Sequence, residues 1–260
     1  MTPKRAVILA AGNGTRMGRL TADRPKAMLD VDGVPLIDRH LDALAACGIH
    51  DVTIVVGYQQ QRLRDHLGGR VRFVDNPRYR ETNSLYSLWL GREQLLQGAV
   101  VMNSDLLVSR PLLARLVGAP VDDAVLVDSS STLDEEEMKV KIWQGLAVDF
   151  SKELAPWDAD AENVGILKFG ARGGRRLVAH IDALVRAGDV NAWAPKAFRA
   201  FAQQWPLRAI ETGGLSWTEI DFPGDLDRAR QIVAPVLSEP LYLRRAQGER
   251  RVEGPVRRAA

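Results

Sequence analysis

Two cations and three carboxylates are the side chains best suited to phosphate chemistry in this sequence. Arg16 and Lys26 follow a glycine-containing stretch, while Asp105, Glu219 and Asp221 lie farther along. Arginine grips paired phosphate oxygens through its planar fork, and lysine acts as a point charge. Carboxylates are the natural ligands of Mg2+, which takes oxygen donors and keeps several waters. In an extended chain, positions i and i+2 share a face, so Glu219 and Asp221 can reach one ion together. Asp105 follows the apolar run Val100-Val101-Met102 and reads on its own either as a ligand or as a strand-end cap.

The cations belong with Leu9-Ala10-Ala11-Gly12-Asn13-Gly14-Thr15. Small residues after a buried strand leave backbone N–H groups bare, and such groups bind phosphate oxygens. Gly12 and Gly14 can adopt positive φ at little cost. The stretch lacks the Gly-Lys-Ser/Thr ending of a Walker A loop, and Met17 stands where a dinucleotide fingerprint needs its third small residue. By itself it fits a tight strand-to-helix turn equally well. Pro25 is expected to hold the chain extended as it presents Lys26.

The elements that must position these groups alternate between strand-like and helix-like segments, the pattern of an α/β fold. Strands are predicted at 6–10, 52–56, 71–74 and 99–103, with helices at 36–47, 59–67, 84–96 and 111–117. The second half is less regular. Strands are predicted at 124–127, 138–142, 146–150, 164–169, 207–211 and 217–221, some of them antiparallel across tight turns such as Trp143-Gln144-Gly145. Helices are predicted at 177–186, 196–204 and 224–233, with Asp225 and Asp227 as caps of the last. The reading is a single domain over 1–238, with a nucleotide-binding half (1–110) and an acceptor-binding half (111–238). Residues 239–260 form a basic tail rich in arginine.

The extended string Gly14-Thr15-Arg16-Met17-Gly18, then Arg24-Pro25-Lys26-Ala27-Met28-Leu29, then Val31-Asp32-Gly33-Val34-Pro35 resembles the signature of the sugar-1-phosphate nucleotidyltransferase-like family. Gly18-Arg19-Leu20 departs from its usual proline-containing stretch. The resemblance implies a Rossmann-like, mainly parallel sheet flanked by helices, with a nucleoside triphosphate over the glycine loop. The sheet is expected to be mixed as well as mainly parallel. The resemblance also implies phosphate contacts by Arg16 and Lys26 and Mg2+ held by Asp105 and Asp221. The segment Asn83-Ser84-Leu85-Tyr86-Ser87-Leu88 and the Trp217 to Asp221 arrangement resemble the phosphocholine and 2-aminoethylphosphonate cytidylyltransferases. That branch adds Glu219 to the metal set and places Asn83 and Ser84 near the base or the acceptor. Either residue reads equally as a helix cap. Ser104 is grouped with the nucleotide-binding residues.

The implied reaction is Mg-dependent transfer of CMP from CTP to a small aminoalkyl phosphate or phosphonate, with pyrophosphate released. A sugar-1-phosphate or inositol-1-phosphate nucleotidyltransferase and a silent nucleotide-binding paralogue are the alternatives. Tryptophan faces attract ammonium groups, so Trp143, Trp193 and Trp217 are candidate walls of an acceptor pocket, with Lys139 reaching the acceptor phosphate. The four histidines, His40, His50, His66 and His180, are scattered and read as structural, and Cys47 as a core residue. A net charge of +2 gives no strong pull toward nucleic acid. No segment approaches the roughly 20 apolar residues of a membrane span, and a cytoplasmic location is expected. A homodimer is allowed for.

Overall fold

A computed structural model describes residues 2–238; the basic tail at 239–260 lies outside the described residues. The strands are β1 (Arg5–Ala10), β2 (Asp30–Val31), β3 (Val34–Pro35), β4 (Asp51–Val56), β5 (Arg72–Asp75), β6 (Ala99–Asn103) and β7 (Leu106–Val108). They continue with β8 (Ala124–Asp128), β9 (Lys139–Trp143), β10 (Leu146–Ser151), β11 (Ala161–Phe169), β12 (Arg208–Glu211) and β13 (Trp217–Glu219). The helices are α1 (Leu36–Ala46), α2 (Gln60–Leu67), α3 (Ser84–Leu90), α4 (Arg110–Gly118), α5 (Ala171–Arg186), α6 (Pro195–Ala202) and α7 (Pro223–Ser238).

Nine strands form one sheet in the order β5-β4-β1-β6-β11-β8-β12-β10-β9. The first four pair in parallel, as the helical crossovers between them require. From β11 outward the pairings are mixed, antiparallel except β12 on β8. Side chains of β1 alternate between two cores: Ala6, Ile8 and Ala10 pack on one face, Val7 and Leu9 on the other. Each large aliphatic group so buried contributes roughly 1.5–3 kcal/mol.

The chain leaves β1 toward β4 and β5, then returns to place β6 on β1's other side. This reversal opens a crevice at the carboxyl ends of β1 and β6, the usual ligand position in open α/β sheets. The register pairs Leu9 with Asn103, so the loop after β1 and the segment Ser104-Asp105 emerge side by side.

The sequence pattern overran in one helix and missed two strand pairs. Residues 84–96 are not one helix: α3 stops at Leu90, and a 3-10 turn follows over Arg92–Gln97. At Gly91 a Cβ would stand 3.0 Å from Val7 and 3.1 Å from Val55, so the backbone there lies directly on the sheet. The β2–β3 hairpin turns on Asp32 and Gly33, both at positive φ, the geometry that Asp-Gly favours. Strand β7 pairs antiparallel with β13 apart from the main sheet.

Candidate active site

The crevice is a cleft of about 440 Å³. Its floor near β1 is the stretch Leu9 to Thr15, all seven residues lining it together with Arg16 and Lys26. Gly14 has φ 61°, and a Cβ there would sit 3.0 Å from Lys26 Cγ. Glycine thus serves both the turn and the close approach of the lysine stem. The loop is tied down by Met17 N–H (3.0 Å) and Thr21 Oγ1 (2.8 Å) donating to the Gly14 carbonyl. Tyr58 in turn donates to the Thr21 and Ala22 carbonyls. Pro25 is extended, with ψ 156°, and hands the chain to the single turn that carries Lys26.

The three acids are presented beside two short paired strands, β7 and β13. Asp105 sits between β6 and β7, and Glu219 ends β13. Register of β13 on β7 matches Glu219 with Leu106, and Ile220 N–H donates to the Asp105 carbonyl at 2.9 Å. Asp225, in the first turn of α7, accepts from the Asp221 and Phe222 N–H groups at 3.0 and 2.7 Å. Its capping role therefore also fixes the Asp221 backbone. Asp227 does not cap; it pairs with Arg230 one turn on. Buried His40 holds the Leu106 carbonyl at 2.6 Å. A carbonyl only accepts, so Nε2 carries the proton.

Asp105, Glu219 and Asp221 each offer an oxygen within 4.8 Å of the others. Lys26 bridges two of them, 3.4 Å from Asp105 and in contact with Asp221. Arg16 reaches Asp221 at 2.6 Å. Burial and the charges of Asp105 and Asp221 push the Glu219 carboxyl up to about 8. Burial likewise raises Asp105. Burial opposes charge on Lys26, but the fields of Asp105 and Asp221 outweigh it and its pKa is raised. The crowded Asp105 and Glu219 carboxyls, both raised, mark a place that a further cation would relieve. Asp105 Oδ1 is buried with no hydrogen-bond partner, which fits an unused ligand position for a hard cation.

Asn83 and Ser84 line the same cleft and also serve the backbone. Asn83 accepts from Ser84 N–H at 2.8 Å at the start of α3, and Ser84 Oγ accepts from Ala194 N–H at 2.8 Å. Both of their expected roles are thus sterically compatible. Ser104 lines the cleft as well.

The expected aromatic pocket is not assembled. Trp193 lines the cleft, but Trp143 stands at the outer β9–β10 turn, 68% exposed. Trp217 packs inward and donates to Asp128 at 2.6 Å. Lys139 does not reach the cleft either. Its buried ammonium turns back to the Asp134 and Glu137 carbonyls at 2.6 and 3.4 Å, holding the loop between them. Residues not assigned a site role from the sequence line the cleft instead: Glu136, Met138, Lys152 and Phe198. Glu136 and Met138 are neighbours in sequence, but Lys152 and Phe198 come from distant segments, so no local pattern joins the four.

Residues 6–168 match the MobA-like NTP transferase domain, more than half of the 260 residues. The chain belongs to this family. It is a nucleotidyltransferase, with the mixed α/β architecture expected from the glycine loop onward. A relative in Campylobacter jejuni, CTP:phosphoglutamine cytidylyltransferase, is 26% identical over 250 residues, covering 85% of this chain and 97% of that one. CMP-5'-(3-aminopropyl)phosphonate synthase of Streptomyces rubellomurinus is 38% identical over 242 residues. That match covers 87% of this chain but only 38% of the longer relative. Among solved structures, the CTP:phosphocholine cytidylyltransferase of Streptococcus pneumoniae superposes with a TM-score of 0.73 at 25% identity, covering 88% of this chain and 98% of that one. No helix among the described residues is long and apolar enough to cross a membrane.

Proposed function

We propose that this enzyme transfers CMP from CTP to a small aminoalkyl phosphate or phosphonate and releases pyrophosphate. The observation that carries the reading is the convergence of the glycine loop, Arg16, Lys26 and three carboxylates in one cleft. Relatives named for CTP and for phosphorylated or phosphonylated acceptors support the base and the acceptor class.

In this reading the bare N–H groups of the loop hold the triphosphate, and Asn83 and Ser84 lie beside the nucleotide. An acceptor oxygen attacks the α-phosphorus. A new P–O bond forms, the bond to the bridging oxygen breaks, and pyrophosphate leaves with that electron pair. The acceptor oxygen is anionic at neutral pH, so no dedicated base is needed. Arg16 and Lys26 transfer their charge from the carboxylates to the phosphates, so catalysis is positioning and neutralisation. Asp105, Glu219 and Asp221 would hold Mg2+, which supplies further neutralisation of the phosphate oxygens.

The test is pyrophosphate release with Mg2+ across CTP, UTP, GTP and ATP, using an acceptor panel. Turnover of 2-aminoethylphosphonate or phosphocholine with CTP is the expected result. Activity confined to glucose-1-phosphate would sink the proposal.

A further inference from the structure

One end of the cleft is built by the loop before β9, the residue after β10 and the loop before α6. There the Lys152 ammonium lies over the Trp193 ring, 5.1 Å from its centroid. Glu136 lies 3.7 Å from Lys152 and 3.5 Å from Arg16. Arg16 also pairs with Asp221. A continuous chain of charges thus links the candidate metal acids to this end: Asp221, Arg16, Glu136, Lys152.

Two features limit what can bind there. A quaternary ammonium has no N–H to donate and is recognised by open aromatic faces. The aromatic side chains lining this cleft are Tyr79, Trp193 and Phe198. Phe198 is buried at 3% exposure, and Tyr79 packs beside Tyr58 near the glycine loop. Trp193 already carries the protein's own ammonium, which repels a second fixed cation. A primary ammonium instead needs a carboxylate acceptor for its three donors, and Glu136 provides one. Once an acceptor's anionic end draws Arg16 away and shares the charge of Lys152, which stays over Trp193, Glu136 is left short of positive charge. An ammonium on a short spacer from that anionic end restores the pairing, because both cations lie within 4 Å of the Glu136 carboxylate.

The geometry points to Glu136 and Lys152 as the specificity residues of the acceptor subsite, which takes a primary ammonium on a short phosphonate or phosphate and rejects its trimethylated form. Lys152 binds the anionic end and Glu136 the ammonium. Lys139 is a positioning residue, since its ammonium anchors the loop that presents Glu136.

The inference rests on the proposed cytidylyl transfer, and one experiment separates the two. Initial rates are measured with CTP and Mg2+ on three acceptors: 2-aminoethylphosphonate, its N,N,N-trimethyl analogue and propylphosphonate. The native enzyme should favour the primary amine in kcat/KM by about tenfold over each of the others, as expected for one charge-assisted hydrogen bond. Glu136→Gln should collapse the preference over propylphosphonate, mainly through KM. Lys152→Gln should raise KM for all three acceptors and narrow the gap between the trimethyl and primary compounds. Thermal melts of both variants report on folding. Equal turnover of the trimethyl compound by the native enzyme overturns this inference alone, as does an unchanged preference in a folded Glu136→Gln variant. Absence of pyrophosphate release with every aminoalkyl acceptor overturns the proposed function and this inference together.

Discussion

Replacing Lys26 with methionine should slow turnover while tightening the binding of a divalent metal, two effects of opposite sign from one residue. The ammonium stands 3.4 Å from Asp105 and touches Asp221, so it competes for the carboxylates that would hold the ion. Two unit charges about 4 Å apart interact by ~1 kcal/mol in water and ~4 kcal/mol in a protein-like medium. A divalent ion doubles the repulsion, giving at least about 2 kcal/mol, or roughly thirtyfold in affinity. Loss of the ammonium also removes a charge that lowers the Asp105 and Glu219 carboxyls, so protons compete harder. A titration at about pH 9 therefore keeps most of the gain, about tenfold. On the catalytic side, removing one cation from the phosphates should cost roughly 10²–10³ in kcat. Methionine retains the length and apolar contacts of the buried stem. The assays are calorimetric Mn2+ titration of the free protein and pyrophosphate release under saturating metal. Weaker metal binding in a folded variant, or a normal kcat, would refute the placement of Lys26 between acids and phosphates.

Three further outcomes follow from other groups. Buried His40 is held down to about 4 against an ordinary value of 6.5, chiefly by burial. Between those values the unfolded chain binds more protons, so stability is complete above about pH 6.5 and falls as pH drops toward 4, by about 3 kcal/mol. Thermal melts at several pH values should show this acid loss reduced in His40→Gln; an identical loss would exclude His40 as its source. Glu219, raised to about 8, holds a proton in the folded protein that the unfolded chain gives up. Stability from this group is full below its ordinary value of 4.5 and is lost as pH rises through 8. Glu219→Gln should therefore raise the melting temperature of the metal-free protein most at alkaline pH while weakening Mn2+ binding; a variant that binds Mn2+ normally removes Glu219 from the site. A Cβ at Gly174 would stand 1.8 Å from the Leu95 carbonyl oxygen. Gly174→Ala should cost about 2–3 kcal/mol in urea unfolding through the forced shift of α5, and a neutral result would contradict that close packing.

The side proposed to bind the nucleotide was legible because its parts are local. A buried strand, bare glycines, Arg16 and Lys26 occupy one short stretch whose family resemblance implied phosphate contacts, and all of them line one cleft. Gly14 shows why the spacing is tight: a side chain there would meet Lys26. Asp105 was legible as the acid after an apolar run, and Glu219 with Asp221 as alternate residues of an extended segment. The Asp32-Gly33 turn also carried a local signal, although the strands beside it are too short to show alternation.

The side proposed to bind the acceptor followed another rule. Lys139 lies in a predicted strand and Trp143 in the tight turn after it, yet the first turns back to its own loop and the second stays exposed. Trp217 points toward the candidate site in sequence order but finds its partner in Asp128. Sequence by itself determined the α/β pattern, the glycine loop, the two cations and the acids, since each depends on neighbours or on simple periodicity. Tertiary structure alone decided that Glu136, Lys152 and Trp193 meet. The antiparallel pairing of β9 with β10, its register shift between Ala147 and Asp149, and the seating of the loop before α6 set that meeting. Such register comes from long-range packing of both sheet faces, which no local spacing records.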